Sequence, residues 1–147
     1  RSETERYGEY SKAGEFVYDH PFQWGSKRTG PDLAREGTGN LKKSNAWHFN
    51  HMDEPSAIST GSVMPSYSFL IDNSLDTSTT ATKINAMRTL GVPYAIDFAE
   101  KANQDLMKQA STITADLKKE GIEVAPTKEI VALIAYLQRL GTDINKK

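Results

Sequence analysis

The sequence predicts an all-α domain with long loops. Apolar residues recur at steps of three and four over residues 95–120 and again over residues 130–140, which is the spacing of helical stripes. Residues 1–40, in contrast, show no sustained period of 3.6 or 2. A length of 147 residues suits one domain with one core, in which roughly two-thirds of the unfolded surface is buried.

Composition and charge exclude several classes of protein. Eighteen basic and nineteen acidic residues give a formal net charge of -1, so the chain lacks the strong positive field of a nucleic-acid binder. No window approaches eighteen consecutive apolar residues, and no segment is therefore predicted to span a bilayer. The absence of cysteine excludes disulfides, thiolate zinc sites, cysteine nucleophiles and thioether-linked haem within this chain.

The first third of the chain is predicted to be mostly loop. Residues 1–40 are rich in glycine, aromatic and charged residues. Loops of this length in a compact domain are usually functional or wrap something bulky, so they fit a bound cofactor. Ser44 is then predicted to cap a short helix through Met52, which ends at Glu54-Pro55, and residues 53–69 return to loop.

Two helices are predicted in the next part of the chain. The first spans about residues 82–90 and ends at Gly91 and Pro93. Its apolar face would consist of Ile84, Met87 and Leu90. The second, over residues 95–120, could reach roughly 39 Å at about 1.5 Å per residue before Gly121 ends it. Its stripe consists of Ala99, Ala102, Leu106, Ala110, Ile113 and Leu117.

A last helix is predicted near the end of the sequence. Thr127 can cap it, and Gly141 lies at the C-terminal cap position. Its apolar positions are Ile130, Leu133, Ile134, Leu137 and Leu140.

The histidines are the first candidates for metal binding. His48 and His51 are three residues apart and could share one helical face, and His20 is the third histidine. Zinc or iron would need a further protein ligand that no spacing here specifies. Hydrogen-bonded or surface histidines are therefore the preferred interpretation. A hydrolase is disfavoured, since no Gly-x-Ser-x-Gly motif occurs.

Met64-Pro65 is a different kind of candidate because it lies in a predicted loop. A thioether in a loop is not explained by a helical core stripe. Core filling remains an adequate explanation of Met64 alone. A thioether is, however, the usual sixth ligand of a low-spin electron-transfer haem, whose reduction potential it raises.

Several motifs together carry a family resemblance. Gly30-Pro31-Asp32-Leu33, Met64-Pro65 and the helical run of residues 132–137 occur in the order found in class I c-type cytochromes. Residues 7–33 closely resemble the mono-haem subunit II of cbb3-type cytochrome c oxidases. The similarity extends over residues 44–52, 61–67, 87–94 and 135–142.

The resemblance implies a class I cytochrome c-like fold and a set of haem-binding residues. Met64 would be the distal ligand of the haem iron. Pro31 would offer its carbonyl to the proximal histidine from the turn that begins at Gly30, and Leu33 would line the pocket. The family relays electrons through a haem c toward the oxygen-reducing catalytic subunit, so the chain is expected not to be an enzyme by itself.

The resemblance also implies partners, a location and a division of the chain. The partners would be the catalytic and tri-haem subunits of the oxidase, and the domain would face the periplasm or the outside of a bacterial inner membrane. Within one cytochrome c-like domain over residues 1–147, residues 1–43 would face haem and partners. Residues 94–126 would form a helical insertion and residues 127–141 the C-terminal helix.

The chain departs from the family in lacking Cys-x-x-Cys-His and, with it, the proximal histidine. We therefore expect a haem-less fragment, without the first haem-anchoring helix, because Arg1 falls inside the similarity and Met64 is retained. The alternative is a naturally haem-free structural or assembly module of the oxidase. Loss of the first helix would expose the face of residues 130–140, so a homodimer of the isolated chain is a further expectation.

Overall fold

The computed structural model of the protein describes residues 4–5, 9–22, 24–25, 30–37 and 41–142. Within these ranges the regular structure is helical, and no strand forms. The extended pairing found there is an isolated antiparallel bridge between Ser74 and Lys128. These observations agree with the all-α prediction.

The chain divides into two compact units. Unit 1 comprises residues 1–43 and 136–147, and unit 2 comprises residues 44–135. The sequence suggested a single core, and the boundary falls within the C-terminal helix, whose pattern gives no sign of it. Each unit is described by itself below.

The described part of unit 1 is mostly loop, as predicted, with two short 3-10 turns at Ala13–Phe16 and Leu33–Arg35. The last turn of the C-terminal helix also belongs to this unit, and Leu137 is buried there. Gln138 Nε2 donates a hydrogen bond of 2.8 Å to the carbonyl of Lys43. Gly37 lies so close to the carbonyls of residues 138 and 140 that a side chain at this position would overlap them.

Unit 2 begins with α1, which spans Asn45–Asp53. The Oγ of Ser44 accepts a hydrogen bond of 3.1 Å from the Trp47 amide, so the predicted N-cap is confirmed. The prediction of loop for residues 53–69 is wrong in part. Pro55 occupies the first position of a one-turn helix, α2 (Pro55–Ile58), because its fixed φ suits the start of a helix.

Two further helices follow in unit 2. The one-turn helix α3 spans Phe69–Asp72, and α4 spans Thr80–Thr89. Gly91 follows α4 with a φ of 95°, as expected of a residue that ends a helix. The predicted apolar face of α4 is only partly correct, since Ile84 is buried whereas Leu90 is 56% exposed.

The long helix α5 spans Phe98–Lys119 and packs against α4 and α1. Its predicted stripe is correct, with four of the six positions buried and the other two half-buried. Helix α6 spans Glu129–Arg139 and begins one residue later than a cap at Thr127 would place it. The Thr127 carbonyl instead accepts a hydrogen bond of 2.8 Å from the Leu75 amide.

The apolar core of unit 2 lies where α5 and α6 meet α1. It is formed by Ala46, Ala110, Ile113, Leu117, Ile130, Val131 and Ile134. Ile130, Val131 and Ile134 have no exposed surface, so the expectation that this face of α6 is uncovered is wrong. A homodimer was expected to cover this face. It stays a prediction, but an uncovered face no longer supports it. Residues 94–126 also contribute to this core, and their status as an insertion stays a prediction.

Candidate functional site

The loop that carries Met64 connects α2 to α3 in unit 2. Its end nearer α3 is tied to α1 by two hydrogen bonds. The Tyr67 amide donates to the Met52 carbonyl at 2.7 Å, and Ser66 Oγ donates to the Asp53 carbonyl at 2.7 Å. The loop is therefore fixed on the C-terminal end of α1.

Met64 itself is half-buried, and its backbone is held locally. Its amide donates to Ser62 Oγ at 3.2 Å, and the following Pro65 has a φ restricted by its ring. Val63, in contrast, is 90% exposed. A soft thioether on a constrained loop is a donor that suits a low-spin haem iron, so this part of the chain fits the predicted group.

The Gly30-Pro31 turn lies in unit 1 and leads into the 3-10 turn at Leu33–Arg35. Gly30 is exposed, Pro31 is half-buried and Leu33 is 53% exposed. The structure thus places the predicted site residues in two units, three of them along one short segment and Met64 in the other unit. Their roles toward a haem stay predictions.

A hydrogen-bonded network that sequence reasoning missed surrounds Asp32. This residue is 8% exposed, and its Oδ2 accepts from both the amide and the Oγ of Ser11, at 2.8 and 2.7 Å. Its Oδ1 accepts from the Ala34 amide at 3.1 Å. The Ser11 carbonyl in turn accepts from Trp24 Nε1 at 3.0 Å.

An ion pair adjoins this network. Arg35 donates to both carboxylate oxygens of Glu15, at 2.7 and 2.8 Å, and to the Glu9 carbonyl at 3.1 Å. The hydrogen bonds from Arg35 hold the pKa of Glu15 below its usual range. Two-oxygen pairing of this kind fixes geometry as well as adding energy.

Buried Glu36 differs from Glu15 in its surroundings. It is 6% exposed, and its Oε2 has no hydrogen-bond partner among the residues that the structure describes. Burial raises the pKa of Glu36, and the positive charge of Lys43 opposes this shift. No sequence pattern marked this residue, since a single glutamate after a 3-10 turn looks like any surface acid.

Unit 1 also exposes several large apolar side chains. Those from the segment of residues 9–25 are Tyr10, Val17, Tyr18, Phe22 and Trp24. Their exposed fractions range from 43% for Trp24 to 57% for Val17. A surface of this composition is typical of contacts with other molecules.

The histidines do not assemble into a metal centre within the described residues. His20 is exposed, whereas His48 is buried on α1 and His51 is half-buried. The His51 ring stacks on Trp47 with a centroid distance of 4.4 Å, and burial lowers the pKa of His51. No group of three histidine, cysteine, aspartate or glutamate side chains in the described ranges could hold a metal ion. A histidine metal site therefore has no support there.

The described part of unit 2 also contains an open groove of about 490 Å³. It is lined by Ser111, Thr114, Ala115, Lys118, Ile122, Glu123, Val124 and Ala125. Met64 is not among these residues, and nothing about the groove favours a haem. No helix in the described part of the chain is both long enough and apolar enough to cross a membrane.

A helical fold with a constrained thioether is compatible with a haem-binding, electron-transfer protein. The family model for the cytochrome c oxidase mono-haem subunit, FixO, matches residues 1–144. The chain therefore belongs to the FixO family, and the resemblance to subunit II of cbb3-type oxidases is confirmed. A search of curated proteins found no match.

Membership of this family establishes the general role of the chain. It is a subunit of a cytochrome c oxidase, a membrane-bound respiratory complex, and it functions there in electron transfer with other oxidase subunits. The family binds one haem c. The 147 residues contain no cysteine, so they provide no thioether attachment for that haem.

Proposed function

We propose that in the intact protein this chain forms one side of a haem c site, with Met64 as the distal ligand of the iron. The observation that carries the proposal is the constrained loop of residues 59–67, which holds a half-buried thioether between α2 and α3. A thioether favours ferrous iron and raises the reduction potential, which suits a carrier that accepts and passes on single electrons.

The second part of the proposal concerns the Gly30-Pro31 turn of unit 1, to which the resemblance assigns a role beside the proximal histidine. Pro31 offers its carbonyl to the proximal histidine, Gly30 allows the turn, and Leu33 covers part of the ring system. The resemblance supports these roles, and the burial of neighbouring Asp32 gives the turn a fixed anchor. The whole then has a class I cytochrome c-like fold, and the Cys-x-x-Cys-His motif that marks its haem-anchoring helix does not occur in this sequence.

The Cys-x-x-Cys-His motif lies outside these 147 residues, so the chain by itself is a haem-less piece of the electron carrier. Two facts support this statement, since the family is mono-haem and the chain has no cysteine.

The partners are the tri-haem subunit or a soluble donor on one side and the catalytic subunit on the other. The domain faces the periplasm, or the outside of the bacterial inner membrane, where c-type haems are carried. It performs no chemistry on oxygen, and its contribution is to hold one redox centre and present it to neighbouring subunits.

Replacement of Met64 tests this proposal in the intact, haem-carrying subunit. In Met64→Ala we expect loss of the sulfur-to-iron charge-transfer band and a lower reduction potential, because the iron loses its soft ligand. Absorption spectra and a potentiometric titration measure both. Far-UV circular dichroism should not change, since Met64 lies in a loop outside the apolar core.

The matched control is Met107→Ala. Met107 is 39% exposed on α5, and its replacement should leave both the spectrum and the potential unchanged. An unaltered charge-transfer band in Met64→Ala would remove Met64 as a ligand.

A naturally haem-free structural or assembly module is the second candidate. The lack of cysteine in the chain favours it. The two candidates are separated by haem staining of the subunit after denaturing electrophoresis, because only a thioether-linked haem stays with the polypeptide. A stained band supports the electron carrier, and an unstained band supports the structural module.

A further inference from the structure

Asp32 directly follows Pro31, and its backbone and side chain are both fixed. The Pro31 carbonyl belongs to the peptide group that joins Pro31 to Asp32, and this group is planar. The orientation of the carbonyl therefore depends on how the Asp32 residue is held. The Asp32 carbonyl accepts from the Arg35 amide at 2.9 Å, and its side chain caps the 3-10 turn through the Ala34 amide.

The second carboxylate oxygen of Asp32 reaches a distant part of the sequence. Both donors of Ser11, 21 residues earlier, converge on Oδ2. The Asp32 side chain therefore links the Pro31 turn to the aromatic segment of residues 9–25. Within that segment, the Ser11 carbonyl accepts a hydrogen bond from the indole N–H of Trp24. Ser11 is itself 6% exposed, and water competes little for these bonds.

Arg35 joins the same two segments, the Pro31 turn and residues 9–25, through a second set of hydrogen bonds. Its guanidinium binds the Glu15 carboxylate and the carbonyls of Glu9 and Tyr10. The segment around Ser11 is thus held from both ends of the 3-10 turn, by Asp32 at its N-cap and by Arg35 at its last position. A rigid supporting network around a functional group is what precise placement of that group requires.

We infer that Asp32 is a positioning residue for the haem site: its carboxylate, held by Ser11 and Ala34, sets the direction of the Pro31 carbonyl. The inference rests on the proposed function, in which that carbonyl accepts a hydrogen bond from the proximal histidine. Such a bond fixes the histidine ring and increases its basicity, and it thereby lowers the reduction potential of the iron.

Asp32→Asn is the sharpest test because it keeps the size of the side chain. One carboxylate oxygen becomes an amide NH₂, which is a donor, whereas both oxygens of Asp32 now face N–H or O–H donors. In the intact haem subunit we expect a raised reduction potential and shifted signals of the proximal histidine ring in paramagnetic NMR spectra. The charge-transfer band that reports Met64 ligation should remain.

Two further variants calibrate the result. Ser11→Ala removes one of the two donors to Oδ2 and should shift the potential in the same direction by a smaller amount. Asp72→Asn removes an exposed carboxylate at the end of α3 and should leave both readouts unchanged. If Asp32→Asn does not fold, Ser11→Ala decides the question, because it keeps the bond from the Ser11 amide.

A second readout needs no haem. The Ser11 amide bonds directly to Asp32, so its hydrogen exchange should become roughly tenfold faster in Asp32→Asn, the effect of losing about 1.4 kcal/mol. Faster exchange at Ser11 together with a shifted potential supports the inference. An unchanged potential overturns it, even where the exchange at Ser11 accelerates, because the network would then be structural only.

The two proposals fail in distinguishable ways. If Met64→Ala changes the spectrum and Asp32→Asn changes neither the potential nor the NMR signals of the proximal histidine, only the positioning role of Asp32 is overturned. If Met64→Ala leaves the spectrum unchanged, the proposed ligand set is wrong, and the inference that depends on it is overturned as well.

Discussion

The two units are stabilised by different kinds of contact. In unit 2 the fully buried side chains are His48 and four apolar residues, Leu117, Ile130, Val131 and Ile134. In the described part of unit 1 the buried side chains include the polar Ser11, Asp32 and Glu36, while large aromatic residues are exposed. One unit is therefore held mainly by apolar packing and the other largely by directed hydrogen bonds.

This difference has a physical consequence for what each unit can do. Apolar burial is nearly non-directional, so it stabilises a unit without fixing any particular atom. Hydrogen bonds to a carboxylate depend on distance and angle, so they place the groups that take part. We conclude that unit 2 is suited to give stability and that the network of unit 1 is suited to hold a backbone group in one orientation.

The largest expected effect comes from the core of unit 2. Ile130→Ala should lower the free energy of unfolding by about 2–5 kcal/mol, because a fully buried side chain leaves a cavity. Urea unfolding followed by circular dichroism measures the loss. Ile96→Ala is the control, since Ile96 is 84% exposed and its replacement should change stability by less than about 0.5 kcal/mol. Equal effects of the two changes would contradict a core built on α6.

An intermediate effect is expected from a glycine in unit 1. Gly141 has a φ of 71°, and a side chain there would overlap the carbonyl of Ala34. Gly141→Ala should therefore cost about 2–3 kcal/mol, from the backbone conformation and the overlap together. Gly121 has a φ of 83° with open space around it, so Gly121→Ala should cost only about 1 kcal/mol. Urea unfolding of both variants measures the two costs. A cost at Gly141 no larger than that at Gly121 would show that the chain can shift to relieve the overlap with the Ala34 carbonyl.

The smallest expected effect distinguishes Glu36 from Glu15, two carboxylates of unit 1, by how their contributions to stability depend on pH. Burial raises the pKa of Glu36 above its ordinary 4.5, so its ionisation destabilises the fold as the pH rises through that raised pKa. Glu36→Gln should gain about 1 kcal/mol at neutral pH and nothing at about pH 3, where the acid is already neutral.

Glu15→Gln should show the opposite behaviour. The bonds from Arg35 lower the pKa of Glu15, so its contribution is present above pH 4.5 and is lost as the pH falls through the lowered pKa. This variant should be less stable than the wild type at neutral pH, and the difference should shrink in acid. Urea midpoints at the two pH values test both carboxylates, and slopes of the same sign would contradict the assignment.

Most of unit 2 could be predicted from the sequence because long amphipathic helices repeat their pattern several times. The stripe of α5 is correct for this reason, whereas the cap at Ser44 is correct because serine is a preferred N-cap residue. The one-turn helices α2 and α3 were missed, since a single turn is too short to show a period. Val131 was missed because it lies off the predicted stripe, although it is fully buried.

The site was predictable only in part. Met64 and the Gly30-Pro31 turn were assigned through a family resemblance; the family match supports that resemblance, and the roles of these residues stay predictions. The bonds between Ser11 and Asp32 join residues 21 positions apart, and no local pattern encodes such a pair. The sequence pattern does not mark the boundary between the two units, since this boundary falls within one continuous helix.

The positions of the two tryptophans give the molecule a built-in optical label in each unit. Trp24 lies in unit 1 and donates to the Ser11 carbonyl, whereas Trp47 lies in unit 2 and stacks on His51. Replacing either one with phenylalanine leaves fluorescence from the other alone. The emission of Trp24 then reports loosening of the polar network, and that of Trp47 reports loosening around α1, so the order in which the two units open can be read from the same chain.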